Sequence, residues 1–239
     1  MSAEATEAAL VALEAVGPEV LDVTKLNTWL RLVALEGDGA QLARLARVDA
    51  EGLAPLGNAP GLVALAAERA EGAAREALEG LHGRLKGLER DRLLVLWDRL
   101  RAGRPEAVLD AVDAVEALTG RAHPEVTAHM LTDLAAQAGV PEWRQVRLYV
   151  LGWLSADHPA RPDAEEALAW IETGLVSPHD GERAEAVEAL AAVAEGEWLT
   201  PEQARRAVQT VREAGPFGED AEVQKALRDA LRALSAEIE

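Results

Sequence analysis

Pro178-His179-Asp180-Gly181-Glu182-Arg183-Ala184-Glu185-Ala186-Val187-Glu188-Ala189-Leu190 is the stretch on which the fold turns. It opens on proline, histidine, aspartate and glycine, which punctuate helices and build turns. It continues in alanine, glutamate and leucine, which are strong helix formers. Val187, Leu190, Ala191 and Ala194 recur at the i, i+3, i+4, i+7 spacing of a helix with one buried stripe, while Glu182, Glu185 and Glu188 fall on other faces.

The same punctuation recurs on either side. Gly103-Arg104-Pro105, Gly139-Val140-Pro141, Ser177 to Gly181 and Gly215-Pro216-Phe217-Gly218 lie about 36 to 39 residues apart. Weaker breaks at 119–124, 157–162 and 195–201 divide each interval, so every unit reads as helix, turn and helix. Val126, Met130, Leu131 and Leu134 form one apolar stripe; Val146, Val150, Trp153 and Leu154 form another; Val223, Leu227, Ala230, Leu231, Leu234 and Ile238 form a third. One such pair cannot cover its own apolar face, so neighbouring pairs must stack. Ile occurs only at Ile171 and Ile238, and Tyr and Phe once each, so the β-branched and aromatic runs of strands are missing. The predicted class is all-α, a solenoid of stacked antiparallel helix pairs, with an irregular helical bundle as the alternative.

The quoted stretch, with Asp180 in the turn followed by Arg183-Ala184 and ending Ala189-Leu190, resembles the turn and second helix of a HEAT repeat. Gly218 to Leu231 is similar, and His123 to Ala135 is a looser match. The resemblance covers residues 104–239 and implies a repeat protein that presents an extended surface to partners.

The N-terminal part is less regular. Helices are expected near 3–16, 22–36 and 38–48, then a Pro/Gly-rich connector at 49–61, then a helical run to about 102 interrupted at Gly72, Gly80, Gly83 and Gly87. The chain reads as one helical-repeat domain, residues 1–239, with a sub-boundary at 49–61 separating 1–48 from 62–239.

A formal charge of −18 repels polyanions unless basic residues gather in a patch. Nucleic acid is therefore a disfavoured partner, and a protein with a basic surface a favoured one. With no cysteine there are no disulfides, thiolate nucleophiles or thiolate-ligated metals. The acidic start Met1-Ser2-Ala3-Glu4 lacks a leader pattern, and no run approaches membrane-span length, so a soluble cytoplasmic protein without membrane contact is expected.

One basic island runs from Arg84 to Arg104, with a net charge of +4. On a single helix Lys86, Arg90, Trp97, Arg101 and Arg104 would share a sector of about 60°, with cations flanking an indole. Together with His82 and Arg84 they form the candidate site for an anion or an acidic partner. The competing reading is that these side chains pair with carboxylates of adjacent helices, with Trp97 half-buried. Gly80, Gly83 and Gly87, interleaved with His82, Arg84 and Lys86, suggest either an anion cradle or a helix turn or close crossing.

Glu79 and His82 have a di-iron spacing but lack the second copy such sites need. Glu125, His129 and Asp133 share a helical face, where charge pairing accounts for them. No P-loop, zinc-protease, EF-hand or Gly-x-Ser-x-Gly motif occurs. His158 and His179 sit in turns beside Asp157 and Asp180, where capping accounts for them. Trp29, Trp153 and Trp170 read as core, Trp143 and Trp198 as partly exposed.

No catalytic residue, cofactor or metal site is assigned. The sequence favours a non-enzymatic interaction scaffold. Two alternatives stay open: a nucleic-acid-binding protein or relative of the HEAT-like DNA glycosylases, with Trp97, Asp98, Arg101, Trp143, Arg144 and Arg147 in lesion-binding roles, and an acidic mimic of nucleic acid.

Overall fold

The computed structural model describes residues 3–16 and 22–238; Met1 and Ser2 of the acidic N-terminal stretch lie outside them. Among the described residues the chain is helical, with turns and no strand. It divides into two compact units, Met1–Arg92 and Leu93–Glu239, each with its own apolar core.

The first unit holds α1 (Ala3–Glu14), α2 (Val23–Glu36), α3 (Gly39–Leu45), α4 (Ala50–Leu53), α5 (Ala59–Arg69) and the part of α6 (Gly72–Arg101) up to Arg92. Its core is leucine-rich: Leu10, Leu13, Leu26, Leu30, Leu42, Leu45, Leu53, Leu78 and Leu81 are buried. Side chains satisfy the exposed helix-end amides and carbonyls. Asp22 accepts from the Lys25 amide at 3.0 Å, Asp38 and Gln41 form a reciprocal capping box, and Arg69 donates to the carbonyls of Ala34 and Gly37 at the end of α2.

Two local expectations change here. The stretch 49–61 is packed, with Ala50, Leu53, Leu56 and Ala59 buried in this core. The glycines at 80, 83 and 87 do not interrupt the helix, because α6 runs through all three. Around Gly83 and Gly87 an added Cβ would meet nothing within 4 Å, so they serve neither a turn nor a close crossing.

The second unit contains the rest of α6, then α7 (Pro105–Leu109), α8 (Val112–Leu118), α9 (Pro124–Ala136), α10 (Pro141–Gly152), α11 (Ala164–Leu175), α12 (Asp180–Glu195), α13 (Pro201–Ala214) and α14 (Ala221–Ile238). Proline stands at the start of α7, α9, α10 and α13, where its missing N–H costs nothing. The helices stack in sequence: α10 against α12 and α12 against α14 in one layer, α11 against α13 in the other, with α11 on α12 and α13 on α14 across the layers. This sequential stacking is that of a helical repeat solenoid. The interval 105–118 departs from the pattern, carrying two short helices where one was expected.

Two details set the stack. At Gly174 a Cβ would stand 2.7 Å from Leu148 Cδ1 and 2.8 Å from the Ala186 Cβ, so only glycine lets α10, α11 and α12 converge there. Gly215 and Gly218, at φ 81° and 75°, turn the chain into α14.

Glu182, expected to face away from the stripe, is 1% exposed. It accepts from Arg144 Nε at 2.6 Å and Arg144 Nη2 at 2.9 Å, and from Ser177 Oγ at 2.6 Å. A buried carboxylate is tolerated because every oxygen is partnered, all three bonds being charge-assisted and two of them coming from a guanidinium.

Candidate binding groove

The residues singled out from the sequence fall partly in the first unit and partly in the second. In the first unit His82 is half-buried with Nδ1 2.9 Å from the Pro60 carbonyl, Arg84 is exposed and Lys86 half-buried, and Arg90 pairs with Asp91 at 2.7 Å. Glu79, the other half of the di-iron spacing, pairs with Arg75 at 3.0 Å.

In the second unit Trp97 is fully buried rather than half-buried, and its Nε1 donates to Asp133 Oδ2 at 2.8 Å. Arg101 donates to the same oxygen at 2.7 Å and pairs with Asp98 at 2.9 Å. His129 lies 3.5 Å from Asp133. An enclosed indole offers no face to a nucleobase, and Asp133 is committed to the indole and the guanidinium. Arg104 is exposed at the start of α7.

The other residues with lesion-binding casts are also engaged. Trp143 is 7% exposed, Arg144 grips Glu182, and Arg147 is buried with its guanidinium 4.4 Å from the Trp170 ring centre. Burial lowers the Arg147 pKa, with the charge of Arg144 adding to the effect. His158 is buried and accepts the Ala160 amide at 3.1 Å, while Asp157 holds Ser155 and Arg121. Among the described residues no group of three His, Asp or Glu side chains is placed to hold a metal ion.

What sequence reasoning missed is a groove on the α10, α12, α14 layer. Trp153, assigned to the core, is 37% exposed, because it caps α10 where the chain leaves the helix. It meets Tyr149, one turn earlier, edge to face with ring centres 6.1 Å apart. Trp198, expected to be partly exposed, is instead buried under Arg161, whose guanidinium lies 4.9 Å from the indole centre.

Between α10 and α12 a cavity of about 250 Å³ is lined by Leu148, Tyr149, Gly152, Trp153, Glu185, Glu188, Ala189 and Ala192. Between α12 and α14 a second, of about 450 Å³, is lined by Glu188, Ala191, Ala192, Glu195, Glu222, Lys225, Ala226 and Asp229. Glu188 and Ala192 belong to both, so the cavities form one groove across three helices.

The groove is apolar in its floor and acidic at its walls, with Lys225 the one cation among its lining residues. Burial pushes the Glu185 carboxyl up to about 7, repulsion from Glu188 adds to this, and a hydrogen bond from Gln145 opposes it. Glu188 is raised as well, first by burial and then by Asp220 and Glu222. Carboxylates shifted upward by burial and by one another lack cationic compensation, so a cation is the species the groove would stabilise. A signal for it exists in the sequence: Tyr149, Glu188 and Asp229 stand at the same offset from the first residues of α10, α12 and α14. It becomes readable once the repeat phase is known.

No family model matches the chain, and no curated protein matches it. Among solved structures it is similar to an engineered protein, at 17% identity over 99% of this chain and 98% of that one, TM-score 0.40. It is also similar to a designed armadillo repeat protein, at 18% identity over 91% of this chain and 96% of that one, TM-score 0.32. Among the described residues no helix is long and apolar enough to cross a membrane.

Proposed function

We propose that this chain is a protein-interaction scaffold of HEAT type whose second unit binds a basic segment of a partner protein along the α10, α12, α14 groove. The observation that carries the reading is that groove itself: an apolar floor, an exposed indole at one end and a wall of carboxylates with one lysine among them. Burial of partner methylenes on the alanine floor would supply affinity, and the acidic walls would supply charge selection and a fast encounter. The proposed role requires no catalysis, and a cytoplasmic location is part of the proposal.

The test is a titration by fluorescence anisotropy of the purified protein with a labelled lysine-rich peptide and, separately, with labelled duplex DNA, at low and moderate salt. The expected result is salt-sensitive peptide binding, abolished by Glu188→Lys combined with Asp229→Lys, and silence with DNA. Absence of peptide binding would overturn the proposal. So would tight duplex binding lost when the arginines between 84 and 104 are replaced, which is the outcome the nucleic-acid reading requires. Recovery of a DNA-binding protein that DNA competes away would instead favour the nucleic-acid mimic.

A further inference from the structure

The α10 end of the groove differs from the rest. It alone among the groove's lining residues combines aromatic rings with carboxylates: Tyr149 and Trp153 stand at 79° to one another on one wall, and Glu185 and Glu188 stand on the other. Leu148 and Ala189 line it as well, so the pocket has room for a methylene chain as well as for a charge. Resting on the groove reading above, we infer that this pocket takes a single lysine or arginine side chain of the partner, its charge held between the Trp153 indole and the Glu185 and Glu188 carboxylates. The remaining basic residues of the segment lie along Glu195, Glu222 and Asp229.

Three features support a built pocket over a merely acidic surface. An indole face attracts a cation through its quadrupole, and more strongly where water is excluded. Trp153 is more than a third exposed, with its neighbour Tyr149 set edge to face, so the indole is available from solvent. Glu185 is half-buried with no ion pair among the described residues, and Gln145 is its hydrogen-bonding neighbour. A cation arriving beside Glu185 must find the carboxylate ionised, and with the carboxyl pushed up to about 7, binding releases a proton near neutrality.

The titratable groups that line the pocket with Glu185 are Tyr149 on α10 and Glu188 on its own helix; Asp220 and Glu222, at the start of α14, act on Glu188, and Lys225 lines the adjoining cavity. Arg144 of α10 is committed to Glu182. On α11, Glu165 and Glu172 are paired with Arg206, and Glu166 acts on Arg147.

The experiment is calorimetric titration of the full chain with the peptide acetyl-(Ala-Lys)6-amide at pH 8 and pH 6, repeated at pH 7 in buffers of different ionisation enthalpy. With Glu185 titrating at about 7, affinity should fall about tenfold from pH 8 to pH 6, and about half a proton should be released per peptide at pH 7. Glu185→Gln should shrink the pH ratio to below about threefold, and Trp153→Ala should weaken binding about fivefold at pH 8 while the ratio persists. Both positions reach the surface, and circular dichroism verifies that the variants fold.

Wild-type binding that is equal at both pH values and releases no proton would overturn the inference while leaving the groove reading standing. Unchanged affinity in Trp153→Ala would do the same. No wild-type binding at either pH would remove both.

Discussion

Replacing Glu182 with alanine tests how consecutive repeats are fastened. The side chain is 1% exposed and receives three hydrogen bonds, two from Arg144 on α10 and one from Ser177 in the turn before its own helix. Removal leaves a guanidinium with a side chain 20% exposed, whose remaining bond is to the Ala138 carbonyl at 3.1 Å, and leaves the Ser177 hydroxyl without its acceptor, though its oxygen still accepts from the His179 amide at 3.2 Å. Breaking a buried ion pair from one side costs about 3–5 kcal/mol. Because Arg144 retains partial access to water, the lower end, about 3 kcal/mol, is expected. For a unit of this size that is a fall in Tm of about 6–12 °C.

The assay is urea denaturation followed by tryptophan fluorescence, with Arg144→Met and the double variant completing a cycle. The two single losses should together exceed the loss of the double variant by a coupling of about 2 kcal/mol. Additive single effects, or a loss below about 1 kcal/mol for Glu182→Ala, would refute the argument that this pair fastens α10 to α12.

Gly83→Ala and Gly87→Ala should each stabilise the first unit by about 0.5–1 kcal/mol in denaturant melts, because both sites are helix interior and an added methyl meets nothing; destabilisation would show that the glycines serve a close approach. Asp133→Ala should cost about 1–3 kcal/mol, since it leaves the Trp97 indole N–H enclosed without an acceptor. Asp133→Asn, which keeps an acceptor, should recover most of that loss in the same melt.

Glu185 has a raised folded-state pKa, so folding favours its protonated form; its ionisation costs stability progressively as pH rises from the ordinary carboxylate value towards about 7, and the cost is complete above that. Glu185→Gln should therefore raise Tm at pH 8 and leave it nearly unchanged at pH 4.5. An equal gain at both pH values would show that the effect is packing rather than charge.

Helix identity and order in the second unit were legible because they rest on local chemistry. Proline at a helix start, glycine after a helix end and a 3.6-residue apolar period act over a few residues, and α9 to α14 begin within a few residues of the breaks they predict. The glycines of α6 were misread for a related reason: a helix tolerates each at a cost of about 1 kcal/mol when packing elsewhere holds it, and Leu78, Leu81 and Leu85 of the same helix are buried in the first unit's core.

Composition and periodicity determined that the chain is all-helical and that its second half stacks as repeats. They did not determine which polar side chains face inward. Glu182, Glu185 and Glu188 sit three residues apart on one helix, yet the first is sealed against Arg144, the second is half-buried beside Gln145 and the third opens to the groove. Trp97 and Trp153 are likewise both indoles among apolar neighbours, one enclosed and one exposed. The difference lies in what neighbouring helices bring to each face, and such contacts between residues some forty apart exist only once the stack has formed.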